Sequence, residues 1–450
     1  MLNIFAADWV LPVSSPPIKG GAIAVEGDRL VSIGERRLLI QKFPDAQTRI
    51  FGPAAIAPGF VNCHTHLELT AMRGFLDAVE DNFVSWLRKL TRARLDRLTE
   101  QDLFDSAAWG TCEAARAGIT SLGDASDSAF TTMKALIQVG LRATVFQESF
   151  GPDPLLVSEN FNKLQQKVAR LRELETPLVR AGVSPHAPYS VCTSQLELIA
   201  DFATTEKLPL MMHAAESRAE ELLMKEGKGA FAESLEQRGI EWRTPAVSTV
   251  QYLAQSGILA TRPLLAHCVT VDAADMELIR ESDARVAHCP RSNAKLGHGR
   301  APLAHFMKLG LQVGLGSDSV ASNNSCDVLA EARAAILAAR TNATTENGSW
   351  VTADDGLYLA TLGGAHALGY GVGELREGLP ADFAVIGLNG AHQIPSYDAP
   401  STLIFSSSGH DVLLTAVAGH IVYDDGTIPH IDEERLRARM LEIAQKLLNG

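Results

Sequence analysis

Between residues 56 and 318, apolar runs of strand length alternate with longer stretches in which apolar residues recur at helical spacing. Strands that alternate with helices favour βα units around a parallel sheet. The span, with one closing helix, matches the roughly 250 residues or more of a (β/α)₈ barrel. We therefore predict an α/β fold built on a (β/α)₈ barrel, in preference to a doubly wound open sheet. The eight apolar runs end in His66, Asp124, Glu148, His186, His213, His267, His288 and Asp318.

The segments on either side of this region show short strands separated by turns. Apolar runs lie at 20–25 and 30–34 near the amino terminus, and others at 378–386, 411–417 and 420–424. Neither end has enough strands to form a stable sheet pair alone, so we expect both to join in one discontinuous β-sandwich domain. The predicted divisions are 1–57 and 370–430 for this domain, 58–369 for the barrel and 431–450 for a terminal amphipathic helix.

Composition narrows the range of functions. The formal net charge is -13 with both signs interspersed, so a basic surface for nucleic acid or an anionic membrane is not expected. Residues 1–15 lack the pattern of a secretory leader, and no apolar run reaches about 18 residues, which leads us to expect a cytoplasmic protein. The six cysteines are scattered without a Cys-x-x-Cys pair, which fits reduced, packed thiols.

A long segment of mixed character follows the first barrel strand, from Leu69 to about Leu98. Phe83, Trp86 and Leu87 stand in it among polar residues. Long loops at the carboxyl ends of barrel strands commonly shape or cover the active site. We therefore expect a partial lid, and an extra surface helix that buries its aromatic residues is the alternative.

Two histidines close the first predicted strand with one residue between them. Side chains alternate between the faces of a strand, so His64 and His66 should point to one side and Cys63 to the other. His213 ends the fifth strand and Asp318 the eighth, and the carboxyl ends of barrel strands meet at one face. Three imidazoles and a carboxylate suit one divalent ion with an open position, zinc first and iron(II) as an alternative.

Two further residues at strand ends can take part in proton transfer. Glu216 lies three residues beyond His213, near enough to accept a proton from a metal-activated water and to return it to a substrate. His267 ends the sixth strand and is placed to orient or polarise that water. Taken singly, each histidine would most simply be a hydrogen-bonded structural residue. Their recurrence on successive strands instead indicates a metal-dependent site with Glu216, His267 and Asp318 as catalytic residues.

Six motifs lie at these strand ends: Pro-Gly-Phe-Val-Asn-Cys-His-Thr-His at 58–66, Ser-Pro-His-Ala-Pro-Tyr at 184–189, His-Ala-Ala-Glu at 213–216, Ala-His-Cys at 266–268, His-Cys-Pro-Arg-Ser-Asn at 288–293 and Gly-Ser-Asp-Ser at 316–319. Together they resemble the amidohydrolase superfamily, and within it the cytosolic nucleoside and nucleobase deaminases and the chlorohydrolase-like enzymes. The resemblance covers nearly the whole chain. It implies the metal ligands named above, Glu216 as the proton shuttle and His267 in contact with the water or the leaving group.

The fourth strand end separates this chain from some members of the superfamily. Binuclear members that hydrolyse cyclic amides carry a carboxylated lysine there as a bridging ligand, whereas this chain has Ser184-Pro185-His186. The resemblance therefore implies a single metal ion. His186 is then expected to contact the substrate, with capping of the strand end as the alternative.

The leading hypothesis for function is hydrolytic deamination of an aminated purine-like ring, with release of ammonia. The runner-up is displacement of halide or alkylamine from a triazine-like ring by the same residues. An inactive metal-binding protein would be expected to lack Glu216 or one of the ligands, and the sequence keeps them all. We expect a small-molecule substrate, and leave open whether the chain forms a homodimer or a larger homo-oligomer.

The lid segment bears on the substrate. Trp86-Leu87 and Asp96-Arg97-Leu98-Thr99 are similar to deaminases of methylthioadenosine and adenosylhomocysteine, which carry a glutamate before the Asp-Arg pair to hold the ribose hydroxyls. Here that position is Leu95, and a hydrophobic side chain cannot accept the hydrogen bonds of a diol. The resemblance at Trp86 still implies contact between this residue and the substrate.

Two carboxylates offer other substrate contacts. Glu68 lies two residues past His66 and faces the metal if the strand stays extended, with orientation of a ligand histidine as its alternative role. Glu148 ends the third strand. The run His-Thr-His-Leu-Glu-Leu resembles the aminodeoxyfutalosine deaminases of menaquinone biosynthesis, whose substrate is an adenosine bearing a benzoate. That compound is the preferred substrate, ahead of methylthioadenosine or adenosylhomocysteine and free nucleobases.

Overall fold

The computed structural model describes residues 2–341 and 350–449. Short strands fill the amino-terminal segment, as predicted, with one helix, α1 (Arg36–Lys42), among them. The strands are β1 (Leu2–Ala6), β2 (Trp9–Val10), β3 (Ile18–Lys19), β4 (Gly21–Glu26), β5 (Arg29–Glu35), β6 (Gln47–Ile50) and β7 (Ala54–Pro58).

Eight further strands follow, and each ends within three residues of its predicted position. Their pairings are parallel throughout, which makes this an α/β fold with parallel sheets, as predicted. The strands are β8 (Phe60–Thr65), β9 (Ile119–Ser126), β10 (Arg142–Ser149), β11 (Val179–Pro185), β12 (Met211–Ala214), β13 (Leu264–His267), β14 (Arg285–His288) and β15 (Val313–Leu315).

These strands form two four-stranded sheets, β8 to β11 and β12 to β15, each in chain order. Backbone contacts join the sheets at both edges. At one edge the Asp318 amide donates a hydrogen bond of 2.9 Å to the His64 carbonyl. At the other, the Val183 amide donates to Pro209 and the His213 amide to His186, at 2.9 and 3.0 Å. The predicted strand ends therefore lie side by side at one end of both sheets.

The remaining helices lie mostly between the strands and have clear capping signals. Asn82 caps α2 by accepting the Ser85 amide, and Thr99 with Asp102 forms a capping box at α3. The helices are α2 (Phe83–Arg97), α3 (Glu100–Arg116), α4 (Ala129–Val139), α5 (Val157–Arg172), α6 (Thr193–Thr205), α7 (Arg218–Glu226), α8 (Ala230–Gln237), α9 (Thr249–Gln255), α10 (Ala273–Glu281), α11 (Pro290–Lys295), α12 (Leu303–Lys308), α13 (Val320–Asn323), α14 (Val328–Arg340), α15 (Ala353–Ala360), α16 (Leu362–Leu368), α17 (Ala399–Phe405) and α18 (Glu433–Asn449).

Strands from both ends of the chain pair with each other. The carboxyl-terminal strands are β16 (Phe383–Gly387), β17 (Val412–Val417) and β18 (His420–Asp424), and β16 lies antiparallel to β7. The resulting six-stranded sheet shares one hydrophobic cluster with the four-stranded sheet of β1, β4, β5 and β6. The two chain ends therefore contribute to one pair of packed sheets, because β7 pairs with β16 on one side and with β2 on the other.

Only Gly59 separates β7 from β8. A Cβ atom at this position would lie 2.1 to 2.6 Å from side-chain atoms of Thr120, far closer than atoms can approach. Glycine is needed because the chain passes tightly against β9 where it leaves the mixed sheet and enters the parallel one.

The strict alternation predicted for the first parallel strand is broken. The register between β8 and β9 shifts between Asn62 and Thr65. Cys63 packs beside Gly314 and Gly364 in a cluster of side chains from six of the eight parallel strands and from α16. Cys63 is thus a core residue, as expected. Because the register shifts here, the simple alternation of side chains between the two faces of a strand does not hold from Asn62 to Thr65.

The predicted lid segment is largely helical. Two 3-10 helices, Leu67–Met72 and Asp77–Val79, lead into α2, where Trp86 and Ala93 are buried. The terminal helix α18 packs against α3 and the first of these turns, with Leu436, Ile443 and Leu447 on its buried side. Both alternatives for this segment hold in part: it is an extra helix with buried aromatic residues, and it contributes a wall to the cavity described below.

Among the described residues, none of the helices combines the length and apolar character needed to cross a membrane.

Candidate active site

The carboxyl ends of the parallel strands bring the four predicted metal ligands together. His66 Nε2 lies 3.2 Å from His213 Nε2. Asp318 Oδ1 lies 3.4 Å from both His64 Nε2 and His66 Nε2. All four side chains are buried. Three ring nitrogens and one carboxylate oxygen therefore converge on one small volume.

Hydrogen bonds to neighbouring groups orient these side chains. His213 Nδ1 lies 2.8 Å from the His186 carbonyl, which can only accept, so Nδ1 carries the proton and Nε2 presents a lone pair to the cluster. Asp318 Oδ2 accepts hydrogen bonds of 2.6 Å from Ser292 and 2.8 Å from Ser322. This leaves Asp318 Oδ1 for the histidines.

The donor set fits a divalent metal ion. Burial lowers the pKa of His64, His66 and His213 to about 4 each, so the rings are neutral at physiological pH. His64 Nε2 is buried without any hydrogen-bond partner among the described residues, and so is His267 Nε2. Buried polar atoms are rarely left unpaired, and neutral imidazoles with a carboxylate are common ligands of zinc.

His267 lies closer to the ligands than its predicted role required. One nitrogen from each of His64, His213 and His267 and a carboxylate oxygen of Asp318 all lie within 4.8 Å of one another. His267 Nδ1 lies 2.8 Å from the Asn293 side-chain oxygen, which directs Nε2 toward the cluster. The ring can therefore reach a metal ion or a group bound to it.

Glu216 lies beside the cluster, and Glu220 fixes its backbone. Its Oε1 lies 3.7 Å from His267 Nε2 and 3.4 Å from His298 Nε2. Glu220 accepts the backbone amides of Ala215 and Glu216 at 2.8 and 3.0 Å, which fixes the turn after His213. Burial raises the pKa of Glu216, but His267 and His298 outweigh it and bring the pKa to about 2. The carboxylate is therefore ionised and can accept a proton.

The residue His298 was not predicted from the sequence. It lies between Gly297 and Gly299, which both adopt positive φ, in a loop without apolar periodicity. Its ring packs against Phe83 of α2, with centroids 4.5 Å apart. The one available signal was a histidine between two glycines close to the predicted seventh strand.

Backbone strain marks the same strand ends. His267, Asp318 and Ala215 have φ of 74°, 57° and 52°, in the left-handed region that non-glycine residues seldom adopt. Each such residue costs on the order of 1–3 kcal/mol, which the surrounding structure must offset. This clustering of strain at the carboxyl ends supports a functional site there.

A cavity of about 660 Å³ opens onto the cluster. Glu148 lines its inner end, with Oε1 buried, without a hydrogen-bond partner in the described part of the chain, and 4.0 Å from His66 Nδ1. His186 also lines it, and its ring lies 4.7 Å from those of Phe150 and His213. Both residues are thus positioned to contact a ligand bound in the cavity.

Glu68 does not occupy the predicted position. The chain turns into the 3-10 helix Leu67–Met72 instead of staying extended, because Asp124 accepts the Leu67 amide at 2.7 Å. The Glu68 carboxylate pairs with Arg94 at 3.1 and 3.3 Å and also accepts the amides of Asp127 and Ser128. It lines the cavity, but its oxygens are engaged by α2 and the loop after β9 rather than by a ligand histidine.

The two lid residues differ in exposure. Trp86 is 5% exposed and packs with Leu69, Met72 and Leu296 while one part of it lines the cavity. Leu95 is 65% exposed and lines the outer part of the cavity. Leu95 supplies no hydrogen-bond acceptor, and among the described residues Glu148 lines the cavity with an unpaired carboxylate oxygen.

Comparisons with known proteins agree with this geometry. The chain is 30% identical over 96% of its length to a 5-methylthioadenosine/S-adenosylhomocysteine deaminase of Pelotomaculum thermopropionicum, covering 95% of that protein. It is also 30% identical to a 5'-deoxyadenosine deaminase of Methanosarcina mazei, covering 96% of this chain and 94% of that one.

A solved structure shows the same architecture. The adenosine deaminase of Xanthomonas campestris, with bound zinc, superposes with a TM-score of 0.86 at 25% identity over 99% of this chain and 98% of that one. The model of the amidohydrolase family matches residues 55–422, which run from β7 to β18 and include all the strand ends described above. The resemblance seen in the sequence motifs is thereby confirmed: the chain belongs to the amidohydrolase family.

Proposed function

We propose that the protein is a metal-dependent hydrolytic deaminase of a purine nucleoside, releasing ammonia. The observation that carries the proposal is the ionised Glu216 carboxylate beside a histidine cluster in which His64 Nε2 and His267 Nε2 are buried without a hydrogen-bond partner among the described residues. The enzyme class, a hydrolase of carbon–nitrogen bonds, agrees with the family and with the deaminases among its relatives. The cavity volume of about 660 Å³ is ample for a nucleoside.

The architecture behind the proposal is a closed (β/α)₈ barrel with a β-sandwich at its side. Hydrogen bonds at both edges of the two parallel sheets support closure. The pairing of β7 with β16 supports a discontinuous sandwich from residues 1–57 and 370–430, beside a barrel at 58–369. We keep the terminal helix, 431–450, as a separate segment, and its contacts are with the helices of the barrel.

The residues that would hold the metal are His64, His66, His213 and Asp318. The short distances among their ligand atoms support this set. Judged by distance alone, His267 could take the place of His66 as the third histidine ligand. His267 is hydrogen-bonded to Asn293 and lies next to Glu216, a position that suits contact with the attacking water better. One divalent ion is expected, with zinc first and iron(II) as the alternative.

Proton transfer is the part of the reaction that the chain's own residues perform. When bound, a divalent ion makes water a nucleophile near neutral pH. Glu216 accepts the proton of the water that attacks the carbon bearing the amino group, and delivers a proton to a ring nitrogen. His267 holds the attacking oxygen in place through Nε2. Glu216 then passes the second proton of that oxygen to the amino group, which leaves as ammonia while the carbonyl forms.

The preferred substrate is aminodeoxyfutalosine, an adenosine bearing a benzoate. Leu95 in place of a diol-binding glutamate argues against methylthioadenosine and adenosylhomocysteine. Glu148 and His186 line the inner cavity as polar contacts for the nucleoside, and Trp86 lines its apolar wall. Glu68 is proposed to act through Arg94, by holding α2 in place, rather than by direct contact.

Ammonia release over a panel of amino compounds tests the proposal. The panel contains aminodeoxyfutalosine, methylthioadenosine, adenosylhomocysteine, adenosine, guanine and a chlorinated triazine. Glu216→Gln should keep its metal and lose roughly 10²–10⁴ in kcat, as expected for a lost general acid/base, whereas the exposed Glu233→Gln on α8 should behave as wild type. Ammonia release from no purine would refute the deaminase assignment, and a clear preference for methylthioadenosine or guanine would refute only the substrate.

A further inference from the structure

Three arginines at the outer part of the cavity have no acidic partner. Arg88 and Arg92 belong to α2 and Arg238 follows α8, and all three line the cavity with exposed side chains. Within residues 2–341 and 350–449, none of them makes an ion pair or a side-chain hydrogen bond. Arg94, by contrast, also lines the cavity but is paired with Glu68 and Asp127. The unpaired arginines of the cavity therefore lie in its outer part.

Packing between α2 and α8 brings the segments that carry these arginines together at one wall of the cavity. Phe83 of α2 meets Phe231 of α8 edge to face, with centroids 6.1 Å apart, and Val84, Leu87 and Leu235 belong to the same cluster. Arg88 stands one turn after Val84, and Arg238 three residues after Leu235, so each continues the packed face of its helix toward the opening.

The charge at this opening is unusual for the molecule. The chain carries a formal net charge of -13, yet three guanidinium groups without an ion-pair partner among the described residues line this part of the cavity. Guanidinium groups bind carboxylates and phosphates with paired hydrogen bonds, and unpaired cations at the mouth of a cleft raise the local concentration of anions. The arrangement is that of a recognition surface for a negative group.

The inner cavity determines where that negative group can be. Beside His66 the wall carries Glu148, with a buried and unpaired carboxylate oxygen, so an anion directly on the sugar would meet negative charge. Between this inner end and the arginines the wall is apolar, formed by Phe83, Leu87 and Phe231. A matching ligand has a nucleoside at the inner end, an apolar spacer and a terminal anion.

We propose that Arg88, Arg92 and Arg238 form an anion subsite that selects nucleosides carrying a carboxylate at the end of an apolar substituent on the sugar. This inference rests on the proposed function, because it places the purine at the histidine cluster. It assigns residues to the selection of the substrate class, which the catalytic residues alone do not determine.

A matched pair of substrates tests the subsite. The probes are 5′-deoxy-5′-(4-carboxyphenylthio)adenosine and its carboxamide, with adenosine 5′-monophosphate as the arm in which the anion adjoins the sugar. The wild-type protein should favour the acid over the amide by about 10-fold or more in kcat/KM, and should use the monophosphate poorly. High salt should reduce the advantage of the acid, because the arginines are exposed to solvent.

Variants assign the preference to the three arginines. Arg88→Gln and Arg238→Gln should each lower kcat/KM for the acid by roughly threefold to tenfold and change that for the amide by less than about twofold. Arg37→Gln, at an exposed arginine of α1 in the sandwich, is the matched control and should change neither value. Equal kcat/KM for acid and amide in the wild type, or an acid preference that survives in the triple Gln variant, would overturn the proposal.

Binding without turnover separates this inference from the proposed function. Titration calorimetry of Glu216→Gln with the acid and the amide measures the subsite even if no ammonia is released by the wild type. Tighter binding of the acid, lost in the triple variant, supports the anion subsite whatever the reaction is. Equal binding of the two compounds contradicts it.

Discussion

The strand ends and the helical wall of the cavity are built in opposite ways. At the strand ends the side chains are buried and oriented by hydrogen bonds, as His213 is by the His186 carbonyl and Asp318 by two serines. The wall from α2 and α8 is partly exposed, packs through apolar contacts and carries unpaired arginines. The reacting groups are therefore held rigidly, while the surface that meets the rest of the ligand can vary without disturbing them.

The comparison also shows where the two regions are joined. Arg94 extends from α2 to Glu68, which lies just after β8. Both side chains are largely buried. Glu68 in turn accepts two amides of the loop after β9. This ion pair links the helical wall to the strand ends. Substitutions in the wall, in the ion pair and at the strand ends should therefore have different effects on activity and stability.

The largest effect is expected at the strand ends. His213→Ala removes a proposed ligand whose ring is oriented toward the cluster by the His186 carbonyl. We expect the metal content and the metal affinity to fall, and kcat/KM to drop below about 0.1% of wild type. Elemental analysis should find about one zinc or iron per wild-type chain and far less in the variant.

His305→Ala, at an exposed histidine of α12, should keep both metal and activity. Two ions per wild-type chain would contradict the single-metal site, and normal metal content in His213→Ala would remove this residue from the ligand set.

An intermediate effect is expected at the link. Arg94→Met leaves the Glu68 carboxylate buried without its cation, which typically costs about 3–5 kcal/mol. The melting temperature should fall by several degrees, and kcat/KM should fall because α2 loses its attachment. Adding Glu68→Gln removes the buried charge and keeps an acceptor for one of the two amides, so the double variant should recover part of the stability. If the double variant is no more stable than Arg94→Met, the link is not electrostatic.

The smallest effect is expected in the apolar wall. Phe231 stacks on Tyr189, with ring centroids 4.0 Å apart, and meets Phe83 across the two helices. Phe231→Ala should raise KM by about 10-fold with kcat nearly unchanged, because it removes binding that the ground and transition states share. Steady-state kinetics measures both constants. Phe161→Ala, in the remote pair with Phe202, should leave KM unchanged, and a large loss of kcat in Phe231→Ala would place this residue with the reacting groups.

Much of the catalytic geometry could be predicted because it follows from topology. Parallel strands in chain order put their carboxyl ends together, so apolar runs that end in His66, His213 and Asp318 predicted the convergence of these residues. Only the position where each apolar run ends was needed, and the observed strands end within three residues of those positions. Pairing between strands of the two chain ends was also expected, since each terminus had too few strands to form a sheet pair alone, and the structure pairs β7 with β16.

The positions that could not be predicted depend on contacts between distant segments. Glu68 leaves its expected face because Asp124, more than fifty residues away along the chain, accepts the Leu67 amide and starts a 3-10 turn. Cys63 departs from regular alternation because the register of β8 shifts against β9. His298 reaches Glu216 through a loop whose path depends on two glycines with positive φ. Local periodicity contains none of this information.

The pairing of strands from opposite termini also bears on the order in which the chain emerges from the ribosome. By the time Asp318 has been synthesised, every proposed ligand and Glu216 are present, but β7 still lacks β16, its neighbour in the finished sheet. A nascent chain at that stage exposes the edge of Ala54–Pro58, which continues through Gly59 directly into the first ligand strand. Translation that stops before Phe383 would therefore release a polypeptide with a complete set of reacting side chains and an open edge prone to aggregation.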